Sequence, residues 1–412
     1  MPDYTTWSKE DLISRITQLE SSSSPQPQPP QPKKQRNGVP KLKKPKKEFD
    51  WSKQHMRFVA FRFAYLGWNY NGLAFQTEPT PLPTVEETFL NALAKVKLVK
   101  EPISEVDYSR CGRTDKGVSA MNQVISINVR SNLPLEDQSN PDLDSSEIDY
   151  ISIMNANLPP DIRVHSICLR PPPDFNARFS CTLRHYRYFF KKVPGLDIEK
   201  MNTAAEMYVG VHDFRNFCKL DGSKQISNFM REIYTSRILH LHDDYYCFDL
   251  RGSAFLWHQV RCMVAMLFCI GQGLEKPDLI RDLLDMTKFP TKPQYEMAND
   301  IPLVLYDCEF PEMEWKSNND AFKFKRLNQS LTKMEYDLSI KSQMSQVMQQ
   351  TLIDKSNFTT ESVSRELTTM HNGDGVGRTY TKYIPIEKRD RTESYEILNA
   401  KWLEKKEAKQ NV

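Results

Sequence analysis

Regular alternation of apolar and polar positions begins at Arg57. The run 58–65, Phe-Val-Ala-Phe-Arg-Phe-Ala-Tyr, is aromatic-rich and predicts a buried strand. Thr84-Val85-Glu86-Glu87 has the form of a capping box, and Val85, Phe89, Ala92, Leu93 and Val96 then recur on one helical face. Ile125, Ile127 and Val129 share one side of a strand over 123–129, and 133–150 follows as a polar loop with six acids. Further strands are predicted at 163–169, 185–190, 233–241, 245–250 and 303–308, with helices at 198–209, 256–270 and 278–286. Strands follow one another directly in several places, which favours an α+β fold over a doubly wound sheet. Patterning weakens beyond 312, where 331–352 stands out as an ordered stretch. Before Arg57, a short helix over 7–19 carries Leu12, Ile13, Ile16 and Leu19 on one face.

These patterns divide the 412 residues into a short helix (1–20), a linker (21–56), a core (57–311) and a partly ordered C-terminal extension (312–412). The linker is a Ser/Pro/Gln tract, then eight basic residues and no acid between Lys33 and Lys47. A solvated tail, a nuclear import signal and a phosphate-binding arm all fit that run. The longest apolar run, 262–270, is far shorter than the roughly 20 residues of a membrane helix. No basic segment followed by an apolar one opens the chain, so no secretory signal is read. None of the eight cysteines forms a Cys-x-x-Cys pair, which points to reduced, buried thiols in an intracellular protein without a metal site. His240-x-His242 has no third ligand in sequence and reads as ordinary strand.

Net charge is only +3, which excludes a uniformly basic nucleic-acid binder. The distribution is uneven. Residues 1–56 carry +5, 57–311 carry −4 and 312–412 carry +2. The acidic loop at 133–150 accounts for the negative core, while 163–192 holds seven basic residues against one acid, with aromatics interleaved. That strip fits a groove gripping RNA phosphates, or a plain solvated edge.

The segment richest in chemistry is Ser109-Arg110-Cys111-Gly112-Arg113-Thr114-Asp115-Lys116-Gly117-Val118-Ser119-Ala120. Its glycines are spaced as in a phosphate loop, but Val118 stands where that loop requires lysine. Spacing alone leaves a tight turn, with Asp115 bonding locally and Gly117 supplying positive φ.

Residues 112–120 resemble the signature of the TruA-type tRNA pseudouridine synthases in its eukaryotic form. Bacterial members have His-Gly or His-Ala at Ser119-Ala120. Four more stretches resemble family motifs in the family's order: Tyr65-Leu66-Gly67-Trp68-Asn69-Tyr70-Asn71-Gly72, without the Trp usual after its second glycine in bacteria; Asn155 through Ile162; Phe175 through Ser180 with Arg184-His185-Tyr186-Arg187-Tyr188; and Gly252 through Arg261. Within the family, Asp213 through Lys224 and the N-terminal extension resemble the branch acting on tRNA positions 38 and 39.

The resemblance implies a pseudouridine synthase fold: a mixed, mainly antiparallel sheet of two similar halves, about 57–170 and 171–311, with outer helices and a central cleft. It implies an isomerase of uridine in the tRNA anticodon stem-loop, without cofactor, homodimeric, in nucleus and cytoplasm. A synthase for another tRNA position and a silent RNA-binding module are the alternatives. Asp115 matches the catalytic carboxylate, acting as nucleophile at C1′ or as the base of a glycal route. Arg261 matches its charged partner, suited by a fork that pairs with carboxylate. Arg113 matches the residue that fills the space left by the flipped base, with phosphate clamping as the milder alternative, and Tyr186 the tyrosine stacking on that base. Arg110, Lys116, Arg178, Arg184, Arg187 and His258 complete the expected substrate-binding set.

Overall fold

A computed structural model describes residues 8–22, 49–317, 320–356, 368–380 and 382–410. They belong to two units, 1–49 and 50–412. The first contains helix α1 (Lys9–Ser22), opened by Ser8, whose hydroxyl accepts the Asp11 amide at 3.2 Å. The Ser/Pro/Gln tract beyond Ser22 and the basic run 33–47 lie outside the described residues.

The second unit is laid out on a ten-stranded sheet. Its first half contains β1 (His55–Tyr65), α2 (Val85–Lys95), β2 (Tyr108–Arg110), β3 (Ser119–Ser131), α3 (Tyr150–Asn157) and β4 (Ile162–Cys168). The second contains β5 (Leu183–Lys191), α4 (Ile198–Glu206), β6 (Gly210–Asp213), β7 (Met230–His242), β8 (Tyr245–Gly252), α5 (Gln259–Gly271), α6 (Leu279–Leu284) and β9 (Leu303–Glu309). Then come β10 (Lys316–Ser317), α7 (Ala321–Lys355), β11 (Thr368–Met370), β12 (Arg378–Tyr380) and α8 (Tyr395–Gln410). The order across the sheet is β10-β4-β1-β3-β9-β5-β8-β7-β6, with β2 beside β3.

All these pairings are antiparallel except one. The halves meet where β3 runs parallel to β9 through Ser119↔Val304 and Ala120↔Leu305. β1 occupies the other edge of β3 along its length, so β2 shares the β9 edge, pairing Tyr108↔Ile127 through Arg110↔Ile125. The chain between β2 and β3, residues 111–118, therefore emerges at the seam between the halves.

Each half has its own apolar core. In the first, α2 and α3 pack on β1: the Phe63 and Phe89 rings stack at 4.8 Å, and Phe61 meets Phe89 and Tyr150 edge-on at 5.6 and 6.1 Å. The predicted capping box starts α2, with Thr84 accepting the Glu87 amide and the Glu87 carboxylate accepting the Thr84 amide. In the second half α5 is apolar almost all round, so it is buried almost throughout, with Phe268 edge-on to Tyr188 and Phe190.

Two sequence expectations need correction, and the acidic loop 133–150 is tied to the core. It forms a 3-10 turn at Pro141–Ser146, Glu147 pairs at 2.9 Å with the buried Arg57, and Asp144 holds Arg170 and Lys316. The helix expected from 256 begins at Gln259, because His258 sits at φ +60° and breaks the helical path. The segment after 312 is woven into the core: β10 extends the sheet beside β4, and Met370 and Ile386 are buried in the second half's core. The long helix α7 within it buries nothing among the described residues.

The first-strand motif has a geometric purpose. A Cβ on Gly67 would lie 2.0 Å from the Val118 carbonyl oxygen, and Gly67 N–H donates to Ser119 Oγ at 2.9 Å. Gly72, at φ +88°, backs onto the Thr114 carbonyl. Both glycines let the first half's backbone touch the seam loop. Gly67→Ala is expected to destabilise the protein by about 2–3 kcal/mol, since backbone on both sides cannot yield cheaply. Urea unfolding checks this.

Candidate active site

The seam loop is held from below and turned outward above. Buried Thr114 bonds Tyr65 hydroxyl to hydroxyl at 2.7 Å. The Asp115 carbonyl accepts the Val118 amide at 3.2 Å, closing a turn in which Gly117 sits at φ +80°. The turn is made by the backbone of Asp115, which leaves its carboxylate pointing away. The segment is a tight turn whose acid side chain is left available.

That carboxylate lies in a cleft of about 640 Å³ between the halves. Trp257 Nε1–H donates to Oδ1 at 3.1 Å, and His258 Nε2 lies 3.3 Å from Oδ2. Burial and the charges of Arg261, Lys219 and Lys292 push the His258 pKa down to about 4, so near neutrality its imidazole is uncharged. His258 Nδ1 is buried without a hydrogen-bond partner. The left-handed backbone of His258 is what turns both side chains onto Asp115.

Opposing influences act on the Asp115 carboxyl. Burial raises its pKa, the Trp257 hydrogen bond and the positive charge of Arg261 lower it, Asp300 raises it and Lys219 lowers it, with a net rise. Arg261 does not grip Asp115 directly. Its Nε–H donates to the Ala298 carbonyl at 2.7 Å, and its Nη1 faces Asp300 Oδ2 at 3.9 Å. The acid that answers this guanidinium is Asp300, which the sequence did not single out, and Arg261 reaches Asp115 through its field.

The cleft lining is basic and aromatic. Seven cations, Arg110, Arg113, Arg178, Arg184, Lys219, Lys224 and Arg231, face two acids, Asp115 and Asp221. Arg110 is pinned by the buried Glu86 of α2, whose carboxylate also accepts from Tyr108 and the Phe75 amide. Arg113 is exposed at the rim. Tyr186 lines the wall, edge-on to Phe255 at 5.0 Å, and burial drives its phenol pKa far up, so it stays protonated. The neighbouring Phe179 is 81% exposed.

Two expected substrate-binding residues are elsewhere. Arg187 alternates to the opposite sheet face, where it donates to Asp249 at 2.9 Å and lies over the Tyr306 ring. Lys116 is exposed outside the cleft lining. The basic strip is not one surface: Arg170 is bound by Asp144 and Glu314 and Arg163 donates to the Pro159 and Ile162 carbonyls, while Arg178, Lys191 and Lys192 are exposed. Strand alternation separates what the sequence runs together.

Sequence reasoning passed over Lys219, Lys224, Arg231 and Trp257. Lys219 lies over the Trp257 ring at 4.8 Å. Their loop is clamped by α8: Tyr395 packs on Phe229 at 5.0 Å, Gln225 donates to the Asn399 carbonyl, and Asn399 to that of Ile226. The family motif around 213–224 was the available signal.

A family model described as tRNA pseudouridine synthase matches residues 204–311. A protein of Saccharomyces cerevisiae (strain ATCC 204508 / S288c) named tRNA pseudouridine(38/39) synthase is 51% identical, over 98% of this chain and 93% of that protein. Its Homo sapiens namesake is 42% identical, over 76% and 69%. Among solved structures, the crystal structure of a Cbf5-Nop10-Gar1 complex overlaps with a TM-score of 0.24 at 11% identity, over 51% of this chain and 45% of that one, too distant to inform the site.

A carboxyl group whose pKa is raised by folding destabilises the folded state once ionised. Stability falls as pH rises from the unfolded value through the folded one, and stays lower above it. Asp115→Asn is therefore expected to be more stable than the wild type at pH 7, with the gap narrowing as pH falls toward 4. Urea midpoints across that range test it; a variant less stable at pH 7 would make Asp115 a structural anchor.

Proposed function

This chain belongs to the tRNA pseudouridine synthase family, and on that premise we propose that it isomerises uridine to pseudouridine at positions 38 and 39 of the tRNA anticodon stem-loop, with Asp115 as the catalytic carboxylate. The positions rest on the names of its relatives. The observation that carries the site is a half-buried aspartate that accepts from the Trp257 indole, with His258 beside it, in a basic, aromatic cleft.

The reaction breaks the ribose C1′–N1 bond, turns the uracil and rejoins it through C5, whose proton is then lost. Nothing enters from outside, so the chemistry falls to one group able to act as an anion. Attack at C1′ and removal of a ribose proton both require Asp115 ionised. Trp257 donates to that anion and uncharged His258 lies beside it, neither adding charge, and the Arg261 field favours it. An oxygen fixed by the indole donor also helps set the direction of attack.

A uridine stacked in RNA must leave its stack to reach this depth. Arg113 at the rim is suited to occupy the vacated space, and Tyr186 offers the flipped base an aromatic face that Phe255 keeps from rotating. Arg178, Arg184, Lys219, Lys224 and Arg231 supply positive charge along the backbone path. Arg187 and Lys116 take no part in this reading.

Two experiments test it. Modification mapping of tRNA from cells lacking the protein, complemented with wild type or Asp115→Asn, is expected to restore pseudouridine 38 and 39 only with the wild type. The purified variant should lose more than about 10³-fold in rate while binding tRNA within about threefold of wild type; a large loss of binding would assign Asp115 to structure. tRNA affinity should fall steeply with salt, and Lys224→Ala should lower the slope of log affinity against log salt by about one. An unchanged slope would remove Lys224 from the RNA path.

A further inference from the structure

The eight cysteines show no metal spacing in sequence, yet three of them converge in space. The Sγ atoms of Cys111, Cys181 and Cys308 all lie within 4.8 Å of one another. They come from three separate segments: the seam loop after β2, the turn entering β5, and β9. We propose that these three thiols form a site for one thiophilic closed-shell cation, Zn(II) or Cu(I), bound as a tris-thiolate at the foot of the catalytic cleft.

Distance, ligand type and charge each bear on this. Metal–sulfur bonds of about 2.3 Å in a trigonal arrangement set sulfur–sulfur separations of about 4 Å, so closure around an ion needs movements below about 1 Å. The residues are 2%, 8% and 1% exposed, so hydrated hard ions are disfavoured, whereas soft thiolates select Zn(II) and Cu(I). Among the described residues no fourth His, Cys, Asp or Glu joins the group. Three ligands satisfy Cu(I), and for Zn(II) the open position would lie toward the cleft, which Cys111 lines.

A positive charge stands ready beside the sulfurs. Arg184 donates to the carbonyls of Ser253, Cys111 and Arg178 at 2.8, 3.3 and 2.9 Å, and among the described residues no carboxylate pairs with it. Its guanidinium feels all three cysteines and offsets the charge of a tris-thiolate. Binding breaks three S–H bonds and forms three metal–sulfur bonds, releasing three protons to solvent without oxidation or reduction. Cys111 is four residues before Asp115, so the ion would tie the catalytic loop to the central strand β9 and to the segment carrying Arg178.

The test uses full-length, reduced, metal-stripped protein incubated anaerobically with Zn(II) alone or Cu(I) alone, desalted, and analysed for retained metal. The expected result is about one ion per chain with at least one of the two metals. Cys181→Ser should weaken retention at least about tenfold, and Cys168→Ser should leave it unchanged. Retention of neither ion, or equal retention by Cys181→Ser, overturns the proposal. Should Cys181→Ser fail to fold, pulsed alkylation of the wild type decides: the bound ion should protect Cys111, Cys181 and Cys308 at least about tenfold while Cys168 and Cys269 react unchanged. Protection that is absent, uniform or located on other cysteines refutes the site.

Discussion

A carboxylate has to remain an anion in a cleft that removes much of its water. Burial pushes the Asp115 pKa up, against ionisation. Direct pairing with arginine would favour the charge but occupy the carboxylate oxygens. The arrangement here divides the task. Trp257 hydrogen-bonds the carboxylate and uncharged His258 lies beside it, while Arg261 acts from beyond them, itself tied to Ala298 and facing Asp300. The Trp257 hydrogen bond and the Arg261 field oppose the effect of burial on Asp115 without occupying both of its oxygens.

The fold makes that arrangement possible by leaving a seam. In the sheet the two halves pair through two residues of parallel ladder between β3 and β9, and the loop carrying Asp115 rises beside it. The first half approaches the loop with bare glycine backbone at 67 and 72, and the second brings Trp257 and His258 through one left-handed residue at the entry to α5. Neither half holds a complete site. The C-terminal helix α8 adds a third support by clamping the loop that carries Lys219 and Lys224. The chain after 312 thus supports the cleft wall without lining it.

Much of this was legible in the sequence. Periodicity placed most strands and helices because their apolar faces really do pack into two cores, and the motif around Asp115 marked the seam. Short edge strands such as β2, β6 and β10 were not legible, since two to four residues carry no period. The basic strip at 163–192 misled because sequence neighbours on β5 point to opposite faces: Arg184 enters the cleft while Arg187 meets Asp249. The acidic loop misled for the related reason that Glu147 and Asp144 neutralise arginines distant in sequence. Net charge said little about RNA; charge facing the cleft says more. The cluster of Cys111, Cys181 and Cys308 was invisible because its spacing exists only in three dimensions.

The claim that Asp115 works as an anion favoured by the neutral indole donor is tested most directly by the pH dependence of single-turnover pseudouridine formation in the Trp257→Phe variant. Removing the indole N–H withdraws a hydrogen bond that favours the ionised carboxylate, so the midpoint of the acidic limb should move to higher pH than in the wild type. A midpoint that stays in place or moves lower would mean that the Trp257 contact does not govern the charge on Asp115, and the account would fail at its centre.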